Sequence, residues 1–179
     1  MDCTALIDKY YACQPELKAL LLHHSRQVAD KALEVCAAHP EWHADTRFIE
    51  EAAMLHDIGI IFCDAPGILC HGTEPYIRHG YVGAKLLRKE GLPAHARVAE
   101  RHTGSGLTRE QIIAEHLPLP EQDFLPETIE ERVICYADKF FSKSHPDRID
   151  TLDHIRRKMA DFGHGSLERW VLLEKQMTL

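Results

Sequence analysis

No apolar run in this 179-residue sequence approaches the ~20 residues that a membrane-spanning helix needs. The opening Met1-Asp2-Cys3-Thr4 has neither the basic nor the apolar region of a secretory leader. The expectation is a cytoplasmic protein with no membrane partner. Close cysteine pairs are also missing. Cys3, Cys13, Cys36, Cys63, Cys70 and Cys135 are scattered, several on apolar faces where a free thiol behaves as a small hydrophobe, so a reduced chain without disulfides is expected. Positive charge is short: 21 Lys and Arg against 28 Asp and Glu leave a net charge of −7. Proteins that grip nucleic-acid backbones present a basic face, so a nucleic-acid polymer is a disfavoured partner. A small anionic substrate stays compatible, because a metal site can supply local positive charge. Internal repeats, low-complexity tracts and strand patterns of any length are absent as well.

What is present is helical periodicity. Apolar residues make up 45% and charged residues 27%, an ordinary globular mix for one domain. From Pro15 to Ala38 the residues Leu17, Leu20, Leu21, Val28, Ala32 and Val35 fall on one stripe, and His24 lies on it. A weaker helix covers 4–12. Ile49, Ala52, Ala53 and Leu55 mark a helix from about Thr46 to Ile58, with Asp45 or Thr46 as cap and Gly59 where a left-handed C-cap belongs. Residues 60–72 read as a loop. Further helices are expected over 76–90, 93–102, 108–116, 127–142, 147–162 and from Ser166 onward. Gly80 and Gly83 imply close backbone packing in the first of these. Thr103-Gly104-Ser105-Gly106 follows a helix and lacks P-loop spacing, so it reads as a turn. The fold class is all-α: one domain over 1–179, with a core at 20–142 and C-terminal helices at 147–178.

Thirteen histidines are many for this length. His24, the pair His56-Asp57, His79, His102 and Asp138 fall on five expected helices, each on or beside a packing face. A carboxylate on an apolar face is costly unless it is paired or binds metal. Imidazoles and carboxylates without thiolates suit Fe and Mn first, then Zn, Co, Ni or Mg. Six ligands exceed the needs of one tetrahedral ion and are enough for two ions sharing Asp57.

These residues resemble the HD superfamily of metal-dependent phosphohydrolases. His24-Ser25 is similar to its first-histidine helix. Leu55-His56-Asp57-Ile58-Gly59 resembles its HDIG signature, and Tyr136-Ala137-Asp138 its closing aspartate. The segments beginning at His79-Gly80-Tyr81 and Glu100-Arg101-His102-Thr103 look like the extra-histidine segments of dinuclear members. The likeness covers 20–142. The Gly-Tyr-Pro signature of cyclic-di-GMP enzymes is absent, since Val82 follows Tyr81. The lysine that often follows HDIG in that group is Ile60 here. The closer likeness is to stand-alone HDIG proteins.

The resemblance implies an HD-domain helical bundle with His24, His56, Asp57, His79, His102 and Asp138 holding two divalent ions. It implies hydrolysis of a phosphoester or phosphoanhydride in a nucleotide or another small phosphorylated substrate. Asp57 would bridge the ions and orient the nucleophilic water. Among Lys139, Lys143, Arg101 and Arg78, Lys139 is the first choice to hold phosphate because it adjoins Asp138. His71, ahead of the His79 helix, is the candidate proton donor. Diiron oxygenases of the same superfamily use the same six-ligand pattern, and a regulatory module that binds metal or nucleotide without turnover is the third reading.

Overall fold

The computed structural model describes residues 1–178. Nine α-helices occur among them: α1 (Cys3–Tyr11), α2 (Pro15–Ala38), α3 (Thr46–Leu55), α4 (His79–Lys89), α5 (Pro93–Arg101), α6 (Arg109–Ala114), α7 (Ile129–Asp138), α8 (Leu152–Asp161) and α9 (Ser166–Met177). The all-α reading holds. None of the described helices is long and apolar enough to cross a membrane.

Sequence chemistry sets most helix starts. Asp45 accepts a hydrogen bond from the Phe48 amide at 2.9 Å and starts α3. Thr128 and Glu131 form a reciprocal capping box at α7. Pro15 and Pro93 occupy the first turns of α2 and α5, where a missing N–H costs nothing.

The helices enclose two large apolar clusters and a small third one of Leu107, Ile112 and Phe124, against which Ile77 and Phe162 pack. One joins Val28, Ala32 and Val35 of α2 to Ala52, Val133, Ile155 and Trp170. Trp170 is fully buried and stacks on Tyr136 at 5.2 Å. The other joins Leu17 and Leu21 of α2 to Ile7, Tyr11, Ile58, Leu87 and Ala99. His24 lies on α2 between Leu21 of one cluster and Val28 of the other. The polar centre therefore sits on the seam of two cores, each buried aliphatic side chain of which contributes about 1.5–3 kcal/mol of transfer free energy.

Four expectations need correction. Residues 60–72 are not a plain loop. A tight helical turn at 58–62 leads into β1 (Cys63–Ala65), which pairs antiparallel with β2 (Cys70–His71) and parallel with β3 (Glu74–Pro75). These strands are too short to show a two-residue period. The expected helix 127–142 ends at Asp138: Lys139 and Phe140 donate to carbonyls three residues back, and Phe141 enters β4 (Phe141–Ser142). The first part of the expected 147–162 helix is β5 (His145–Ile149), paired with β4. The Asp150 amide donates to the Phe140 carbonyl at 2.8 Å, and helix resumes only after Thr151 caps α8.

Gly59 is the fourth correction. It is not left-handed. A Cβ there would lie 2.2 Å from the His79 carbonyl oxygen and 2.5 Å from the Gly83 nitrogen. Glycine is needed for contact between the 58–62 turn and α4, not for a turn of the chain. The close packing expected at Gly80 is present: a Cβ would meet the Ala99 carbonyl oxygen of α5 at 2.3 Å. Tyr11 reinforces the same region from α1, its hydroxyl donating to the Ile58 carbonyl at 2.8 Å.

All six cysteines are free. Cys36, Cys63, Cys70 and Cys135 are buried, and burial pushes the Cys63 thiol up to about 12 and the Cys70 and Cys135 thiols up to about 11. Thiol titration should find six groups after denaturation without reductant. In the native protein Cys13 should react fast, half-buried Cys3 more slowly because burial and Glu51 push its thiol up, and the four buried thiols slowest. Recovery of only four after denaturation would show a disulfide.

Candidate metal centre

The structure brings His24, His56, Asp57, His79, His102 and Asp138 together, all buried. His56 and His102 cap the C-terminal ends of α3 and α5, and Asp138 closes α7. Three helix C-termini therefore converge, and their partial negative charge favours a cation between them.

Asp57 stands at the middle. Its Oδ2 lies 3.1 Å from His24 Nε2 and 3.0 Å from His56 Nε2. Asp138 Oδ1 lies 3.0 Å from the same His24 nitrogen and 3.4 Å from that of His56. The other oxygen, Asp57 Oδ1, lies 3.4 Å from His79 Nε2 and 3.5 Å from His102 Nε2. One carboxylate thus faces two separate donor groups: His24, His56 and Asp138 on one side, His79 and His102 on the other.

Backbone carbonyls fix the histidine rings. His56 Nδ1 donates to Ala53 O at 2.6 Å, His79 Nδ1 to Tyr76 O at 2.8 Å and His102 Nδ1 to Ala99 O at 2.8 Å. Carbonyls only accept, so each ring holds a proton on Nδ1 and turns Nε2 inward, the orientation that metal-binding imidazoles adopt. Tyr76 also stacks on His79 at 4.7 Å. The Nε2 atoms of His79 and His102 face each other at 3.0 Å. With both Nδ1 positions protonated, two lone pairs oppose each other there, and a cation resolves that repulsion. Asp57 Oδ1 and His56 Nε2 are buried without a hydrogen bond of good geometry, and Asp57 Oδ2 has the Lys143 ammonium as an ion-pair partner. Such orphaned atoms are costly unless an ion satisfies them. The donor set therefore fits divalent ions.

Electrostatics agree. Burial first, with His102 and Lys143 nearby, drives the His79 pKa down to about 3, and burial also lowers that of His102. Both rings are neutral at pH 7, the form that ligates. Burial opposes charge on Asp57 and Asp138 too, yet His56 and Lys143 hold Asp57, and Lys139 holds Asp138, well below the usual carboxylate range. Burial likewise opposes a charged His56, but Asp57 and Asp138 outweigh it and push its pKa up to about 9. The carboxylate pair favours positive charge at this point.

The remaining candidates separate. Lys139 Nζ donates to Asp138 Oδ2 at 2.5 Å and to His102 O at 3.0 Å, so it braces two ligand-bearing segments. Lys143 Nζ lies 2.5 Å from Asp57 Oδ2, and both lysines line the cavity over the centre. Sequence order favours Lys139 because it adjoins Asp138; Lys143 reaches Asp57 only because α7 stops early and the chain turns through β4. Arg78 pairs with Glu74 and Arg101 with Glu127, away from the centre. His71 is exposed on β2, opposite Asp64, and does not line the cavity. The carbonyls of Ala53, Tyr76 and Ala99 each lie three residues before a histidine, a spacing that no residue type marks in the sequence.

An HD domain family model matches residues 21–142. A Methanocaldococcus jannaschii protein described as uncharacterized is 32% identical over 160 residues, covering 88% of this chain and 87% of its own length. A tRNA (cytidine(56)-2'-O)-methyltransferase of Picrophilus torridus is 34% identical over 140 residues, 78% of this chain. One of Thermoplasma volcanium is 29% identical over 158 residues, 87% of this chain. The chain spans only 36% and 40% of those two proteins. No solved structure matches it.

Proposed function

The chain belongs to the HD domain family, and from that premise we propose that it is a metal-dependent phosphohydrolase acting on a small phosphorylated substrate, nucleotides among them. The observation that carries the reading is Asp57, whose two oxygens face two donor groups at 3.0–3.5 Å. Two divalent ions held there by His24, His56, Asp57, His79, His102 and Asp138 would supply hydroxide at neutral pH and neutralise phosphoryl charge.

The chain's own residues do the rest. Ala53, Tyr76 and Ala99 orient the rings through their carbonyls. Asp57 and Asp138 concentrate negative charge at the end of the cavity, and Asp57 orients the water. Lys143 places a cation beside Asp57 on the cavity side, where it holds a phosphoryl oxygen. Lys139 fixes Asp138 and is a positioning residue. Lys143→Ala is expected to raise KM about tenfold, with a smaller fall in kcat. Lys139→Ala should lower kcat and metal content together with little change in KM. Steady-state kinetics with metal analysis of both variants separates the roles; a KM rise confined to Lys139→Ala would reverse them.

The names of the Picrophilus and Thermoplasma relatives raise tRNA as a partner. The net charge of −7 works against a backbone-gripping surface on this chain. The test of the main reading is phosphate release under anaerobic conditions with Mn or Fe(II), over a panel of mono- and dinucleotides and simple esters. Release without oxygen supports hydrolysis. Silence across the panel, with substrate-dependent oxygen uptake in air, would establish the diiron oxygenase instead.

A further inference from the structure

The cavity over the centre has a volume of about 610 Å³, within the range of sites that enclose a whole small molecule. Its two halves differ. At the floor stand His79, His102, Asp138, Lys139 and Lys143. Its walls include Ile77, Phe141, Met159 and Phe162, an apolar and partly aromatic slot. Met159 and Phe162 come from the α8 segment, beyond residue 142 where the family match ends. This part of the wall therefore lies outside the matched segment.

Phe162 is seated firmly. Gly104, at φ +59°, lies under its ring, and a Cβ at 104 would come within 2.4 Å of a ring carbon. The Thr103–Gly106 turn thus gives the aromatic wall its place beside the metal ligand His102. Cations are few. Among the described residues, the lysines and arginines lining the cavity are Lys139, Lys143 and Lys158. Each already faces a carboxylate: Asp138 at 2.5 Å, Asp57 at 2.5 Å and Asp150 at 3.2 Å. Above the floor, Lys158 is the one lysine or arginine that could meet a second phosphate, beside the hydroxyls of Thr103, Ser142 and Ser144, and its side chain is 44% exposed. Chains of phosphates bring several charges, which call for several cations or amide donors.

We propose that the substrate is a phosphomonoester with a flat, largely apolar body. The phosphate would lie at the metal floor and the body against the apolar wall of Ile77, Phe141, Met159 and Phe162, and the site would discriminate against polyphosphates. The proposal rests on the phosphohydrolase reading for its reaction but not for its binding geometry.

The test has two arms. In the first, calorimetry on the Mn-loaded protein compares phenylphosphonate with methylphosphonate, neither of which is hydrolysed. Phenylphosphonate should bind about tenfold more tightly, the worth of burying a ring in place of a methyl group. Phe162→Ala should reduce that ratio to about twofold, and Phe162→Leu, which keeps an apolar wall, should hold an intermediate value, with thermal melts checking that both fold. Equal binding of the two phosphonates by the wild type, or a ratio unmoved by both variants, overturns the proposal. In the second arm, kcat/KM for 1-naphthyl phosphate and a nucleoside monophosphate should exceed that for the nucleoside triphosphate and inorganic pyrophosphate by about tenfold or more. Preference for the triphosphate or pyrophosphate overturns the proposal while leaving the hydrolase reading intact. No turnover of any ester, together with a persistent phenyl preference, supports the apolar seat and sinks the hydrolase reading.

Discussion

Asp57→Asn should yield a folded protein without its metal ions and with turnover reduced by about 10³-fold or more, since metal-bound water is ionised near pH 7 and free water is not. Asparagine keeps the shape of the side chain, but its amide offers only one oxygen and no charge. Both donor groups lose their shared member at once: His24, His56 and Asp138 on the Oδ2 side, His79 and His102 on the Oδ1 side. Lys143, now 2.5 Å from Asp57 Oδ2, would lose its buried counter-charge. A loss of a few kcal/mol in stability should therefore accompany the lost activity. Metal analysis, circular dichroism and phosphate release measure the three effects. Two retained ions with kcat within tenfold of wild type would remove Asp57 from the centre of the mechanism.

The second large effect is expected at Gly59. Alanine there drives a Cβ to within 2.2 Å of the His79 carbonyl and 2.5–2.7 Å of the Gly83 backbone. The three nearest atoms in the way are all backbone, so rotating a side chain aside does not relieve them. The 58–62 turn must separate from α4, the helix that begins with His79. A loss of about 3 kcal/mol or more is expected, or about 6–12 °C in Tm for a chain of this size. Weaker metal binding should follow, because His79 moves with α4. Gly67→Ala is the control. Nothing lies within 4 Å of a Cβ at that site, and its backbone is not left-handed, so its Tm should stay within about 2 °C. Equal melting of the two variants would show that the Gly59 contact yields more easily than its geometry implies.

The two variants mark different degrees of legibility. Asp57 stood out because a carboxylate on an apolar helix requires a partner. Gly59 stood out for a reason that proved wrong: its place after a helix suggested a left-handed cap, whereas its role is contact with a segment twenty residues onward. The same limit explains the lysines. Lys139 attracted notice as a neighbour of Asp138 in the chain, while Lys143 reaches Asp57 through the end of α7 and the β4–β5 pair. Two-residue strands are set by the pairing of Phe141 with Ile149 and Asp64 with His71, and leave no period to read.

The sequence by itself determined the helices and the chemistry of the candidate ligands. Apolar spacing, capping residues and prolines are local, and the choice of imidazole and carboxylate without thiolate is written in the residue types. Tertiary structure alone decided which oxygen of Asp57 faces which rings. It also decided which lysine reaches the centre and that Phe162 walls the cavity from Gly104. Those are distances between segments far apart in the chain, fixed by how the apolar clusters pack, and no local pattern records them.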